Sequence, residues 1–379
     1  MNSDLGLRVL SSVMDWDDDK AHDQFQRLRL MATLKYDGYR DFEAGVRFTE
    51  SLASWLQQFD PDQRETAYDF IMTRLVYIGP SEMEKLVGQF YANVVHPELI
   101  TAVAKQMDMP RYSLLANDEA RERINKLRRR TLFLGLSDGA RVDFIRHQNV
   151  GLITNEQVVG STQLDQAKWK DLLDELRTDL NDDEATFRAV YLIDDFAATG
   201  TSFFRLDGGR AKGKLSKFAA SVQAAQAVLG GKIFEDGYQV FIHHYVGTAK
   251  ARTELADRLD AGKHVLAEAG LPPSISTTYG LWLPESLPLD TDNPADLGFL
   301  DLADQYYDDS ITSRHTAVGG TDDMKLGYGG CALPLILDHN TPNNSMPLLW
   351  AETVGSPKVD GMAAVPAMRP LFRRRQRHI

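Results

Sequence analysis

A single cysteine, Cys331, stands in a chain of 379 residues, which excludes an internal disulfide framework and a cysteine-based zinc cluster. Within the apolar run 331–337 its expected role is that of a small buried hydrophobe. Cations are also scarce. The 42 lysines and arginines against 54 acids leave a net charge of -12, which argues against a general coat for nucleic acid or anionic membrane but leaves room for local basic patches. No apolar run approaches the length of a membrane-spanning helix. The beginning of the chain carries Asp4 and an acidic group at 15–19 in place of a signal-peptide pattern. A cytoplasmic protein without membrane attachment is therefore expected.

What the chain does have is the stretch Val190-Tyr191-Leu192-Ile193-Asp194-Asp195-Phe196-Ala197-Ala198-Thr199-Gly200-Thr201-Ser202. An apolar run of single-strand length stops at two adjacent carboxylates, and a loop of small and hydroxylated residues follows. Ligands of open α/β sheets sit at the carboxyl ends of strands, and a loop feeding a helix N-terminus can hold a phosphate on its backbone N–H groups. The Thr and Ser hydroxyls add hydrogen bonds, while Asp194 and Asp195 suit sugar hydroxyls or a magnesium ion reached through water. The plainer alternative is a buried strand running into a helix capped by Asp195 or Thr199. Capping explains one polar residue, but not two acids and a run of small ones.

A second loop of this kind precedes it. Residues 131–136 read as a strand, and Ser137-Asp138-Gly139-Ala140-Arg141 turns tightly into a helical stretch. The loop offers a hydroxyl, exposed N–H groups and one charge, a set suited to a diphosphate. Two alternatives stay open: a plain turn, and a G-x-S-x-G nucleophile elbow from Gly135 to Gly139 with Ser137 as the attacking serine of a hydrolase. A helix over 165–180 then returns the chain to the 190–193 strand, which implies a parallel pair with a right-handed crossover. Beyond Ser202, Gly208, Gly213 and Lys214 have the spacing of a nucleotide-binding P-loop, but Leu215 stands where Ser or Thr would hold magnesium. The segment reads instead as a flexible insertion whose Arg205, Arg210, Lys212, Lys214 and Lys217 attract an anion, or as a merely solvated loop. A helix over 218–229 ends at Gly230-Gly231, and a strand over 238–246 contains His243 and His244, which point to opposite faces and cannot form one ligand pair. The loop 247–250 that follows is a further candidate wall of the same cleft.

The flanks differ in grammar. Residues 23–126 read as helical throughout, with core stripes at Phe25, Leu28 and Met31, at Phe48, Leu52, Trp55, Leu56 and Phe59, and again over 67–78. Ser81 is the expected N-cap of the next helix, with Glu84 at the capping-box position. The basic cluster Arg121, Arg123, Lys126, Arg128, Arg129 and Arg130 alternates with acids and reads as a solvated face in preference to a phosphate or RNA surface. From Gly270 a proline-marked, irregular connection is expected, followed by an apolar strand and the polar turn His339-Asn340-Thr341-Pro342-Asn343-Asn344-Ser345. The amides of Asn340, Asn343 and Asn344 can read the edge of a base or sugar; a network of Asx turns is the alternative. Arg369, Arg373, Arg374, Arg375 and Arg377 form a tail cluster without acids, a candidate contact for nucleic acid.

The stretch from Val190 to Ser202 resembles the phosphoribosyl-pyrophosphate (PRPP) loop of type I phosphoribosyltransferases. Taken with Trp55-Leu56-Gln57-Gln58-Phe59, the loop Ser137-Asp138-Gly139-Ala140 and the turn 339–345, most of the chain is similar to phosphoribosyltransferase-like proteins of bacterial conflict and antiphage systems, some of them at retron loci. The resemblance implies an α/β fold: a parallel-sheet core of the type I phosphoribosyltransferase kind at 129–350 with an irregular hood at 270–350, an all-helical region at 1–128 before it and a basic tail at 351–379. It implies that Asp194 and Asp195 are the catalytic pair holding the ribose hydroxyls and that Ala197, Ala198, Thr199, Gly200, Thr201 and Ser202 cradle the 5′-phosphate. Ser137, Asp138, Gly139, Ala140 and Arg141 would take the diphosphate, and residues 151–162 would form a mobile loop closing over substrate. It further implies Mg2+ as cofactor, PRPP or a nucleotide as ligand, reaction at the anomeric carbon, and a defence-system partner such as a retron reverse transcriptase complex. No purine or pyrimidine hood is recognisable, and Arg141 is a thin charge for a diphosphate loop, so ordinary salvage chemistry is not expected. A non-catalytic sensor of PRPP or nucleotide that gates a partner, and the Ser137 hydrolase, remain as other readings.

Overall fold

In the computed structural model, which describes residues 3–160, 164–356 and 364–374, the chain opens with helices α1 (Ser3–Met14), α2 (Asp18–Leu34), α3 (Phe48–Leu56) and α4 (Arg64–Thr73). The expected stripes are the buried ones. Leu28, Phe48, Leu52, Trp55, Leu56 and Phe59 are all inside, with Phe25 and Met31 packed against them. The third stripe does not continue as one helix. After Thr73 the β-branched and aromatic Val76–Ile78 extend as strand β1. Helix α5 (Pro80–Phe90) begins two residues earlier than expected, with proline in its first turn. Gly79 N–H donates to Glu82 Oε2 at 2.6 Å, so Glu82 and not Glu84 takes the capping-box position.

Two units divide the chain, one of residues 1–83 and 285–379, the other of 84–284. These bounds differ from the sequence-based 128 and 350, because packing between distant segments, and not helix content, sets them. In the second unit a π-helical turn (Tyr91–Val95) leads from α5 to α6 (His96–Met107), and α7 (Asp118–Arg129), capped by Asn117, leads to the sheet. Its elements in order are β2 (Thr131–Gly135), α8 (Val142–Gln148), β3 (Val158–Gly160), α9 (Gln166–Leu180), β4 (Phe187–Ala197), the hairpin β5 (Arg205–Asp207) and β6 (Arg210–Lys212), α10 (Lys214–Leu229), β7 (Phe234–Thr248), α11 (Ala249–Ala261), α12 (Lys263–Glu268) and β8 (Ile275–Leu283). The five long-range strands pair in the order β3-β2-β4-β7-β8, and every pairing is parallel.

Strict alternation sorts the side chains. Leu132, Leu134, Val190, Leu192, Val240 and Ile242 pack with α9 and α10 on one face. Phe133, Tyr191, Phe241 and His243 form a run of stacked and edge-on rings with Phe90 of α5 on the other. Two sequence expectations are corrected here. Ile275–Leu283, read as part of an irregular connection, is a strand rich in β-branched and aromatic residues on the edge beside β7. Part of the expected mobile loop, Val158–Gly160, is the opposite edge strand, with both valines buried; Ser161 and Thr162 of that loop lie outside the described residues.

The chain then returns to the first unit. Helix α13 (Pro294–Gln305), capped by Asn293 and also unforeseen, packs Phe299 on Phe70 with ring centroids 3.5 Å apart. Strand β9 (Leu335–Leu337) pairs in parallel with β1. The described part of the tail adds to the core of this unit. Leu371 and Phe372 are buried, with Phe372 among the rings of Tyr36, Tyr39, Phe42 and Tyr77. The arginine cluster finds its acids outside itself: Arg373 pairs with Glu43 and with Glu352 earlier in the tail, and Arg374 lies over the Trp350 ring. Arg375 and Arg377 lie outside the described residues.

Candidate functional site

Relabelled within the sheet, the strands run 2-1-3-4-5, with β2 first and β4 third. The chain leaves β2 toward one edge and β4 toward the other, so a crevice opens between their carboxyl ends, the topological switch point at which ligands of such sheets bind. Both loops singled out in the sequence leave from these two ends.

After β2, Ser137 is extended, Asp138–Ala140 make one 3-10 turn, and Arg141 adopts the left-handed conformation with φ 50° before α8 begins. A non-glycine residue there costs about 1–2 kcal/mol, and such strain collects at functional loops. Gly139 must be glycine for a local reason: a Cβ would lie 2.6 Å from Asp195 Oδ2. From β7 below, the Tyr245 hydroxyl donates to Ala140 O at 2.8 Å.

At the end of β4 the two acids part company. Successive strand residues face opposite sides, so Asp194 follows Leu192 toward α10 while Asp195 lies on the other face against Gly139. Asp194 is only 3 % exposed. Its Oδ1 accepts a hydrogen bond from Ser137 Oγ at 2.5 Å and its Oδ2 pairs with the Lys214 ammonium. Burial pushes the Asp194 carboxyl up to about 6; the Lys214 charge opposes this, the Asp195 charge adds to it, and the hydrogen bonds from Lys214 and Ser137 oppose it again.

Lys214 was read in the sequence as part of a flexible basic insertion. It is instead the first residue of α10, set by Gly213, whose φ of 115° and closeness to Phe203 O leave no room for a Cβ. The insertion is an ordered hairpin turning on Gly208 and Gly209, both at positive φ as a two-residue turn requires, with Lys212 paired to Asp207 across it. The small-residue loop therefore does not feed a helix directly. The first N–H groups of α10 reach back to it: Lys214 N–H donates to Ser202 O at 3.2 Å and Leu215 N–H to Phe203 O at 3.1 Å.

Residues 197–201 are buried and Ser202 is exposed. Thr199 and Thr201 share a hydrogen bond of 2.8 Å between their hydroxyls, and Gly200 turns the chain at φ 67° above Leu255. Thr248, from the stretch expected to line the cleft, and Arg258, to which the sequence assigns no role, hold the loop from behind. Thr248 Oγ1 donates to Ala198 O at 2.8 Å while capping α11, and the Arg258 guanidinium, paired with Glu254, donates to Thr199 O. The expected loop at 247–250 is thus the capped start of α11.

His244 is the register partner of Asp194 and shares its face. It is buried and stacked on Tyr279 at 5.6 Å, and its Nδ1 has no hydrogen-bond partner among the described residues. Burial and the Lys214 charge lower its pKa to about 3, against the Asp195 charge. On the opposite face His243 bonds Thr278 Oγ1 at 3.0 Å, and burial together with His244 lowers it to about 3 as well. Both imidazoles are neutral at physiological pH.

The donor set does not make a direct magnesium centre. The two strand-end carboxylates face opposite ways, Asp194 already accepts at both oxygens, and no cluster of three or more His, Cys, Asp or Glu side chains suited to a metal occurs among the described residues. The Ser137 hydroxyl donates to a carboxylate, and no imidazole bonds to it among the described residues. The amide-rich turn belongs to the other unit. There Asn344 Nδ2 donates to Tyr328 O at 2.9 Å, Asn343 O accepts from Tyr328 N–H, and Asn340 Oδ1 is buried without a partner among the described residues.

Two βα loops thus meet at a parallel switch point, one with paired acids and a Thr-Gly-Thr turn. A family model described as PRTase-CE matches residues 52–374. The chain belongs to this phosphoribosyltransferase-like family. The match begins in α3 and runs to the last described residue, so the PRTase-CE assignment takes in the whole parallel sheet together with α13, β9 and the tail. No curated protein and no solved structure matches the chain.

Proposed function

We propose that this PRTase-CE protein binds PRPP, or a closely related 5-phosphorylated ribose diphosphate, at the β2–β4 switch point and acts at its anomeric carbon, passing the ribosyl group to an acceptor or to water. The observation that carries the reading is the convergence of the two loops, with Ser137 on Asp194 and Gly139 on Asp195. The 198–202 turn takes the 5′-phosphate, and Ser137 to Arg141 face the diphosphate. Asp194 uses two of about four acceptor positions on its carboxylate, which leaves capacity for a ribose hydroxyl. As the bond from C1 to the diphosphate lengthens, positive charge grows on the ring, and the Asp195 and Asp194 carboxylates stabilise it from fixed positions. Magnesium enters only as a counter-ion carried on the diphosphate, and no step depends on it. An antiphage role with a partner protein rests on the sequence resemblance alone; its test is phage plating on cells carrying the native locus with wild type or Asp194→Asn.

One observation favours the sensor reading as a second. The two histidines at the strand end are buried, which pushes their pKa values down to about 3, so both are weak bases for activating an acceptor. Diphosphate release from PRPP, followed for wild type and for Asp194→Asn/Asp195→Asn, separates the two. Release by the wild type alone supports transfer. Binding without release, whichever nucleobase, nucleotide or RNA is added, leaves the sensor, and absence of binding sinks both. An esterase activity lost in Ser137→Ala but kept in Asp194→Asn would restore the hydrolase.

A further inference from the structure

A second polar cavity lies at the other end of the sheet. Arg128 and Arg129 close α7, Arg146 stands in the last turn of α8, and with the connection 150–157 they enclose about 380 Å³. Helix α7 runs into β2 and the connection runs into β3, so the cavity sits where these strands begin. The five residues of β2, about 17 Å at strand rise, separate it from the Ser137 loop.

Its wall carries no carboxylate. Along the exposed face of α7, Arg123 and Lys126 are each paired with a glutamate one turn earlier. The Arg128 guanidinium, by contrast, makes no hydrogen bond or ion pair among the described residues. Arg129 Nε pairs with Asp179 at 2.5 Å and Arg146 Nη1 with the exposed Asp143 at 2.9 Å, yet Arg129 Nη2 and Arg146 Nε are buried donors without partners. Basic residues in a last turn favour the helix dipole, but that accounts for neither the cavity nor buried donors left unsatisfied, which cost free energy unless something accepts from them. The wall is held in place: Gln157 Nε2 donates to Arg128 O at 2.7 Å and to Thr131 O at 2.8 Å, tying the connection to the start of β2. Exposed Val150 and Leu152 add an apolar surface, and Asn125 adds an amide.

We propose that this cavity binds a phosphorylated ligand of mononucleotide size, its phosphates on the guanidinium groups and its nucleoside against Val150 and Leu152. Guanidinium forks match phosphate oxygens in pairs, and the volume lies at the lower end of the range of about 300–1,000 Å³ usual for small-molecule sites. The assignment is independent of the reading proposed for the strand-end site.

Calorimetric titration of the full chain with ADP, AMP and inorganic diphosphate tests it, using Asp194→Asn/Asp195→Asn as the background so that the strand-end site does not contribute. ADP should bind, and Arg128→Ala should weaken it about tenfold or more, the loss of one charge-assisted phosphate contact. Arg123→Ala, on the same helix but outside the cavity, should change nothing. Arg146→Gln gives a second reading, with a thermal melt to confirm folding. The proposal is overturned if ADP does not bind, if Arg128→Ala binds it as wild type does, or if Arg123→Ala weakens it equally. It is likewise overturned if diphosphate alone binds as tightly as ADP, or if only a short RNA, and no mononucleotide, depends on Arg128.

Discussion

Gly139 is where the two strand-end loops are fitted to each other, since the Asp195 carboxylate fills the space a side chain would need. Gly139→Ala should cost about 1–3 kcal/mol as overpacking or move the loop aside, so ribose-phosphate binding falls while a thermal melt still shows a cooperative fold. Arg141 separates charge from geometry. Arg141→Gly removes both the guanidinium and the left-handed penalty of about 1–2 kcal/mol, and the expected result is weaker diphosphate binding in a protein no less stable. Asp194 sets a pH dependence. Its folded pKa of about 6 lies above the ordinary 3.8, so the folded chain holds more protons than the unfolded one between these values, and its contribution to stability declines as pH rises through that window. Ligand binding that needs the carboxylate should run the other way, falling as pH drops through about 6, and Asp194→Asn should flatten both profiles. The acids and the Thr-Gly-Thr turn were legible because they sit in one contiguous string. Lys214 was not, because its glycine spacing mimics a P-loop and nothing local points it at a carboxylate twenty residues earlier.

Among the elements, α11 shows how a helix start serves a site. Thr248 caps it through Ala251 N–H at 3.0 Å and holds Ala198 O with the same hydroxyl. Thr248→Ala should cost about 1–2 kcal/mol by chemical denaturation and speed amide exchange in the 198–202 loop, whereas Thr248→Ser should retain both bonds. The strands β2, β4 and β7 and the helices α9 and α10 follow from apolar runs and glycine stops. Strand β8 and helix α13 were obscured by neighbouring prolines, although Ile275-Ser276-Thr277-Thr278-Tyr279 has strand composition and Asn293-Pro294 is a helix-start pair. Punctuation near an element was mistaken for its absence.

On the scale of the molecule, the first unit is assembled from both ends of the chain. Trp55 Nε1 donates to Leu348 O across 293 residues, and Arg74 holds the fully buried Asp296 with Nε at 2.7 Å and Nη2 at 3.0 Å. Arg74→Met leaves that carboxylate to two neutral donors, Asp290 N–H and Asn293 Nδ2, and should cost about 3–5 kcal/mol in a urea titration. Arg74→Met/Asp296→Leu should recover much of the loss, because no buried charge then remains unpaired.

By itself the sequence determined the parallel α/β class, the buried helical stripes, and the string of acids and small residues at the end of the central strand. These are written in periodicity and turn chemistry, which act over a few residues. Only the tertiary structure decided that the acids of that string face opposite sides of the sheet, that Lys214 and Ser137 both bond Asp194, and that the arginine tail belongs to a core begun in the first helices. Each of these depends on which distant segments share a face, and that is set by strand order and packing, which no local pattern encodes.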